Sequence, residues 1–185
     1  MTEVRRETRE TKVRVELVND SSILEVSTSI PFLDHMLVTL ARYAGLGLRV
    51  SASGDLRHHV SEDVAIAFGT ALAAHLPAAA ARYGDRTIPM DDALVQCAID
   101  TGGRPYYRGP LPSATYDHWM RSFADNARAT VHLRVLRGHD RHHVVEAAFK
   151  ALGMALRDAM CESGAGAGAG AVFSTKGAVD LEVRR

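Results

Sequence analysis

Polar and apolar residues alternate over Thr11-Lys12-Val13-Arg14-Val15-Glu16-Leu17, the period of a strand with one wet face. Asn19-Asp20-Ser21-Ser22 is a turn and Ile23 to Ser27 alternates again, so these two segments are predicted to pair as a hairpin. After Pro31 the period lengthens. Phe32, Leu33, Met36, Leu37 and Leu40 recur at helical spacing, and Gly45 closes the run. Leu46 to Ala52 reads as a strand, Gly54-Asp55 as a turn, and Val60 to about Leu76 as a long amphipathic helix ending near Pro77. The second half repeats this order. Ala93 to Asp100 and Tyr106-Tyr107 are predicted strands around the turn at Gly102-Gly103. Tyr116 to Ala129 is a helix, Thr130 to Leu136 a strand, Gly138 a turn, and His142 to Met160 the closing helix.

The predicted fold class is therefore α+β: an internally duplicated half of β-β-α-β-α order, with helices on one face of mainly antiparallel sheets. Residues 1–185 are expected to form a single domain of two repeats, about 1–84 and 85–160. The Gly164–Gly170 Gly/Ala run cannot supply a core and is expected to be a flexible loop. The Ser174-Thr175-Lys176-Gly177 segment that follows it combines hydroxyls, a cation and a glycine, as a lid would.

Each predicted helix that closes a repeat opens with the same five-residue pattern, His-His-x-x-Glu. It occurs as His58-His59-Val60-Ser61-Glu62 and as His142-His143-Val144-Val145-Glu146. On a helix, His58 and Glu62 share a face, as do His142 and Glu146. His59 and His143 are turned about 100° away, so each copy points ligands at two places. Imidazole with carboxylate suits Mn, Fe, Co, Ni or Zn better than Ca or Mg. One histidine on a helix is ordinarily a surface or packing residue, but two copies of the motif at the same place in a repeated unit point to two metals. Of nine histidines, six fall in or beside these elements: His35, His58, His59, His132, His142 and His143. With Glu62 and Glu146 they divide into two sets of three imidazoles and one carboxylate. Such a set leaves an octahedral ion two open positions, as catalysis requires. His75, His118 and His139 lack this context and read as surface or packing residues. Because the copies belong to different halves and adjacent histidines diverge, sites shared between subunits are expected.

Bulk composition narrows the class. Lys plus Arg and Asp plus Glu both number 22, so no global charge favours nucleic acid or an anionic membrane. Cys97 and Cys161 form no CxxC and read as reduced thiols. No apolar run approaches the roughly 20 residues of a membrane span, and the charged start lacks the apolar stretch of a signal peptide. A cytoplasmic protein is expected.

Phe32-Leu33-Asp34-His35-Met36-Leu37, both His-His-x-x-Glu helices, Pro89-Met90-Asp91-Asp92-Ala93-Leu94, Gly103-Arg104-Pro105, Phe149-Lys150-Ala151 and Ser174-Thr175-Lys176-Gly177 together resemble the imidazoleglycerol-phosphate dehydratase family, from about Glu7 to Gly177. The resemblance implies a duplicated fold similar to the second domain of ribosomal protein S5. It implies two Mn2+ ions per active site, a small-molecule phosphate substrate, and a homo-oligomer: a 24-subunit cage built from trimers with metal sites at subunit interfaces. The metal ligands it implies are His35, His58, His59, Glu62, His132, His142, His143 and Glu146. Implied substrate contacts are Arg82, Arg104, Lys150, Ser174 and Lys176, a phosphate cradle of two arginines, two lysines and a hydroxyl. Glu10 is the implied acid–base group, and Asp92 an outer partner of the metal ligands.

The implied reaction is the dehydration of imidazole glycerol phosphate to imidazole acetol phosphate in histidine biosynthesis. The C2 proton is next to no carbonyl, so the imidazole ring must assist. Held by both metals as an imidazolate, the ring is expected to expel the neighbouring hydroxyl through a diazafulvene-like intermediate. The segment Leu56-Arg57-His58-His59-Val60 departs from the acidic pair and threonine usual in the family, and Phe173 replaces a proline. Arg57 is expected to weaken ion binding, because it removes an outer carboxylate partner and adds a like charge. Three other readings compete: a divergent paralogue acting on a related imidazole phosphate, a dinuclear metallohydrolase, and a non-catalytic metal-binding cage protein. The hydrolase needs bridging carboxylates, typically in Asp-rich motifs, of which the chain shows few, and the cage protein predicts no convergent phosphate-binding cations, whereas Arg82, Arg104, Lys150 and Lys176 are present.

Overall fold

The structure, a computed structural model, describes residues 1–161. The first half runs β1 (Thr2–Glu7), β2 (Thr11–Val18), β3 (Leu24–Ser27), α1 (Pro31–Ala44), β4 (Gly47–Gly54) and α2 (Arg57–His75). The second runs β5 (Tyr83–Met90), β6 (Ala93–Asp100), β7 (Tyr106–Arg108), α3 (Ala114–Asn126), β8 (Thr130–Arg137) and α4 (Arg141–Met160). Two four-stranded sheets result, ordered β1-β2-β4-β3 and β5-β6-β8-β7, so the second half repeats the topology of the first strand for strand. In each sheet three strands are antiparallel and the short fourth is parallel to its neighbour.

Two sequence expectations are corrected. The hairpin between Thr11–Leu17 and Ile23–Ser27 does not form. β3 lies parallel to β4, with Leu24 opposite Leu48, while β2 sits between β1 and β4. A parallel pair needs a long crossover, and α1 supplies it. Each half also starts with a strand that its pattern conceals. In β1 the inward positions are Thr2, Val4 and Arg6, only partly buried, and in β5 they are Gly84, Arg86, Ile88 and Met90. Pro89 is tolerated because β5 is an edge strand.

Each helix covers the inner face of its own sheet. α2 lies on β1 and β2, and α4 on β5 and β6. The helices then pack across the repeat boundary, α1 on α4 and α2 on α3, forming the inner layer between the sheets. This layer holds the largest buried side chains. Trp119 stacks on Phe123 with ring centres 5.4 Å apart and meets Phe149 at 4.8 Å, and Phe68 adjoins both Trp119 and Phe123. Aromatic pairs at such separations add about 0.5–1.5 kcal/mol beyond the area they bury. The helix crossings are close because each has a glycine. A Cβ on Gly153 would lie 2.6 Å from the Leu40 carbonyl oxygen, and one on Gly69 would lie 2.6 Å from that of Phe123. Both glycines are the thirteenth residue of their helix. α1 starts with Pro31 at its first turn and ends on Gly45 in the left-handed region, φ 72°.

Candidate metal centres at the helix crossings

Where α1 crosses α4, three ligand atoms converge. Proline entry sets the start of α1, which places His35 one turn in, facing the first turn of α4. His142 and Glu146 share a face of α4, whose start is fixed by the Asp140 side chain accepting from the His142 backbone N–H at 2.7 Å. His35 Nε2 lies 3.4 Å, and His142 Nε2 3.2 Å, from Glu146 Oε2. The other carboxylate oxygen is 2.9 Å from Lys150 Nζ. Glu146 is buried, at 7% exposure. Burial pushes its carboxyl up, but the Lys150 ammonium and His35 outweigh that, and the net displacement is below the ordinary value. The Phe32 ring packs 5.0 Å from His142 and limits its rotation.

Where α3 crosses α2, the same arrangement appears. His58 Nε2 is 3.7 Å from Glu62 Oε2, and His118 Nε2 is 3.3 Å from Glu62 Oε1. The rings of His58 and His118 stack at 5.2 Å with 28° between planes. His118, a packing residue by its sequence context, therefore belongs to a candidate centre. In each cluster two imidazole nitrogens and a carboxylate oxygen all lie within 4.8 Å of one another. Such a set suits a divalent first-row transition ion.

His59 and His143 point elsewhere, as their position in the motif requires. His59 Nδ1 meets Asp55 Oδ1 at 2.8 Å and Glu10 Oε2 at 3.6 Å. His143 Nδ1 meets Asp92 Oδ1 at 2.7 Å. An ionised carboxylate only accepts, so each Nδ1 carries the hydrogen and turns Nε2 outward, where that of His143 lies 3.4 Å from Asp91 Oδ2. The hydrogen bond from Asp55 raises His59 above the ordinary imidazole range, and that from Asp92 raises His143. Asp92 also accepts from the backbone N–H groups of His139 at 2.6 Å and Asp140 at 3.1 Å. These bonds, with that from His143, hold its carboxyl far below the usual carboxylate range. The outer partner that Arg57 was expected to remove is thus supplied by Asp55, in the turn one helical turn before His59.

The remaining candidates lie apart. His132 occupies the face of β8 away from the helices, its ring 5.4 Å from that of Tyr106. His142 follows the opposite end of β8, roughly 16 Å of strand away at about 3.3 Å per residue. Arg82, with φ 72°, clamps Asp100 by two bonds, Nε to Oδ1 at 2.6 Å and a terminal nitrogen to Oδ2 at 3.0 Å. Arg104 is exposed in the adjoining turn, where its carbonyl accepts from Thr130 Oγ1 at 3.0 Å. Within one chain, then, Lys150 stands at the α1–α4 centre while Arg82, Arg104 and His132 gather at the far end of the second sheet. Ser174, Lys176 and the Gly/Ala run lie outside the described residues.

Frame and site together define the class: a duplicated α+β protein with a candidate His–His–Glu metal centre at each of its two helix crossings. Comparison with known proteins makes this specific. The family model of imidazoleglycerol-phosphate dehydratase matches residues 28–156. The dehydratase of Pyrobaculum calidifontis is 50% identical, over 94% of this chain and 97% of its own length. That of a Parafrankia strain is 43% identical, over 94% and 96%. A crystal structure of the Pyrococcus furiosus dehydratase superposes with a TM-score of 0.84 at 40% identity, covering 95% of this chain and all (100%) of the other. That from Staphylococcus aureus gives 0.79 at 31% identity, over 88% and 99%. The chain belongs to the imidazoleglycerol-phosphate dehydratase family, a family of hydro-lyases. Among the described residues no helix is long and apolar enough to cross a membrane.

Proposed function

We propose that this protein dehydrates imidazole glycerol phosphate to imidazole acetol phosphate in the cytoplasmic synthesis of histidine. Two divalent ions, Mn2+ in the first instance, would be held by His35, His58, His59, Glu62, His132, His142, His143 and Glu146. The observation that carries this reading is the paired clusters at equivalent helix crossings, in a chain whose relatives at 43–50% identity are named for this reaction. The donors fit the ions: neutral imidazoles and carboxylates at matching separations, with Asp55 and Asp92 fixing the tautomers of His59 and His143.

Subunit sharing follows from the same geometry. Of the eight proposed ligands, His35, His142 and Glu146 converge at one crossing and His58 and Glu62 at the other, while His59, His143 and His132 make their contacts elsewhere. A second copy of the chain would complete each set of three imidazoles and one carboxylate, and the proposed assembly that shares sites in this way is a 24-subunit cage built from trimers. Arg82, Arg104, Lys150, Ser174 and Lys176, brought together from neighbouring copies, would bind the phosphate by bidentate and point-charge contacts.

The reaction takes a proton from C2 of the glycerol chain and a hydroxyl from the adjacent carbon, releasing one water. The enol that remains tautomerises to the ketone. When bound, the ions would supply Lewis acidity to the substrate. Glu10 is the group proposed to move the proton, and its carboxylate stands at the edge of the His59 cluster. The test is to incubate the Mn2+-loaded protein with imidazole glycerol phosphate and measure the ketone. Steady formation that a chelator abolishes is expected. Metal-replete, assembled protein that forms no ketone would refute the proposal.

A further inference from the structure

The β1–β2 turn that carries Glu10 is anchored to α2 by hydrogen bonds that all run in one direction. Asp63, next to Glu62 on α2, is buried at 8% exposure, and as a carboxylate it only accepts. Thr11 Oγ1 donates to Asp63 Oδ2, which uses the one hydrogen of that hydroxyl. The 3.1 Å contact between the Thr8 and Thr11 hydroxyls is therefore donated by Thr8. Thr8 Oγ1 in turn accepts from the backbone N–H groups of Glu10 at 3.1 Å and Thr11 at 3.0 Å. One line thus runs from the Glu10 N–H through Thr8 and Thr11 to Asp63. Arg6 Nε lies 2.9 Å from Asp63 Oδ1, an ion pair without an aligned hydrogen bond. The Glu10 carbonyl is also held, accepting from the Asp55 N–H at 3.1 Å.

The second half builds the same turn without this line. Thr8 bonds to Thr11 around Arg9-Glu10 as Met90 pairs with Ala93 around Asp91-Asp92, so Glu10 corresponds to Asp92. Thr11 opens β2 as Ala93 opens β6, and Asp63 is the seventh residue of α2 as Ala147 is of α4. Thr8, Thr11 and Asp63 therefore stand where the other half has Met90, Ala93 and Ala147, and both alanines are in the core. Apolar side chains close this corner of the fold, and a buried charge is no better at doing so. The turns differ in how their acidic residue is held. Asp92 is tied through its own carboxylate, to His143 Nδ1 and to two backbone N–H groups. Glu10 is tied through its backbone, and its exposed carboxylate stands 3.6 Å from His59 Nδ1. We infer that Thr11 and Asp63 are positioning residues for Glu10, fixing the turn so that the carboxylate is aimed while remaining open to substrate. This rests on the acid–base role proposed for Glu10 and adds the residues that aim it.

The test is a double-mutant cycle on the turnover of the full-length, Mn2+-loaded protein. Thr11→Val removes the hydroxyl and keeps the shape, Thr11→Ser keeps the hydroxyl, and Glu10→Gln removes the proposed acid–base group. Circular dichroism, assembly state and Mn2+ affinity are measured for each. Thr11→Ala, which matches Ala93, serves if valine disturbs folding, and Asp63→Ala breaks the line at its other end. Thr11→Val and Asp63→Ala should each lower kcat by about 10²-fold, the cost of misplacing a group by about 1 Å. For Thr11→Val, KM and Mn2+ affinity should stay near wild type, and Thr11→Ser should keep most of the activity. Glu10→Gln alone should lose about 10²–10⁴-fold. Added to it, Thr11→Val should lower kcat no further, because the group it aims is already gone. If Glu10→Gln loses activity but the two losses multiply, or Thr11→Val keeps wild-type kcat, or its loss follows weakened Mn2+ binding, the inference is overturned and the role of Glu10 stands. Near-wild-type kcat in Glu10→Gln would remove that role and the inference with it.

Discussion

Gly153→Ala is a sensitive probe of how packing sets the metal geometry. The added methyl would lie 2.6 Å from the Leu40 carbonyl oxygen and 2.9 Å from Tyr43 Cβ, both on α1. The first contact falls 0.8 Å short of the 3.4 Å at which ordinary contact begins. Its partner is backbone, so no side chain can swing aside. Alanine gains about 1 kcal/mol of helix propensity over glycine. Overpacking a close crossing costs about 1–3 kcal/mol, so a net loss of about 1 kcal/mol is expected. For a chain of this size that lowers Tm by about 2–4 °C. The larger effect is local. Leu40 and His35 are on the same helix, so backing α1 away by a few tenths of an ångström opens the 3.4 Å separation between His35 and Glu146. Thermal unfolding of the metal-free protein reads the first effect, and Mn2+ titration reads the second. A Tm at or above wild type with unchanged Mn2+ affinity would show that this crossing has slack and that helix approach does not set the centre.

Replacing His59 or His143 with alanine should abolish turnover while leaving far-ultraviolet circular dichroism unchanged; near-normal turnover in a metal-defined assay would remove them from the ligand set. Asp92→Asn leaves one acceptor oxygen where there were two, so either His143 Nδ1–H or the His139 and Asp140 N–H groups face an amide NH2, and it should weaken Mn2+ binding by about 10–100-fold, measured by the same titration. Asp92 also stabilises the fold through its bonds to the His139 and Asp140 N–H groups. Because its folded pKa is depressed, that contribution is present above the unfolded value near 3.9 and lost as pH falls through the lower folded value. Denaturant midpoints of wild type and Asp92→Asn should therefore differ at neutral pH and converge only in strong acid. Trp119→Ala empties the centre of the helix layer and should cost about 3–5 kcal/mol, seen as an earlier urea midpoint.

The parts legible in the sequence are those written locally. His-His-x-x-Glu on a helix fixes which donor shares a face with the glutamate and which turns away, and the structure places His58, Glu62, His142 and Glu146 accordingly. His35 stood out through its neighbours Phe32 to Leu37. His118 had no such neighbours. Its place beside Glu62 depends on which helix α3 crosses, a pairing between opposite halves that no local period encodes. The β2–β3 hairpin failed for a related reason: alternation identifies strands but not their partners, and α1 carries the chain from β3 to a parallel neighbour. β1 and β5 were concealed because their inward faces carry Arg6, Gly84 and Arg86 rather than a row of apolar residues. Asp55 was in view four residues before His59, but in a turn, where helix spacing gives no reason to pair it.

The central claim is that turnover depends on ions held at the two equivalent helix crossings. Adding Mn2+ stepwise to chelator-stripped protein, and measuring bound ion per chain beside ketone formation from imidazole glycerol phosphate, tests it most directly. Activity should be absent without metal and level off only as occupancy approaches about two ions per chain, the number of candidate centres. Full activity in the metal-free protein, or a plateau while the centres remain empty, would contradict it.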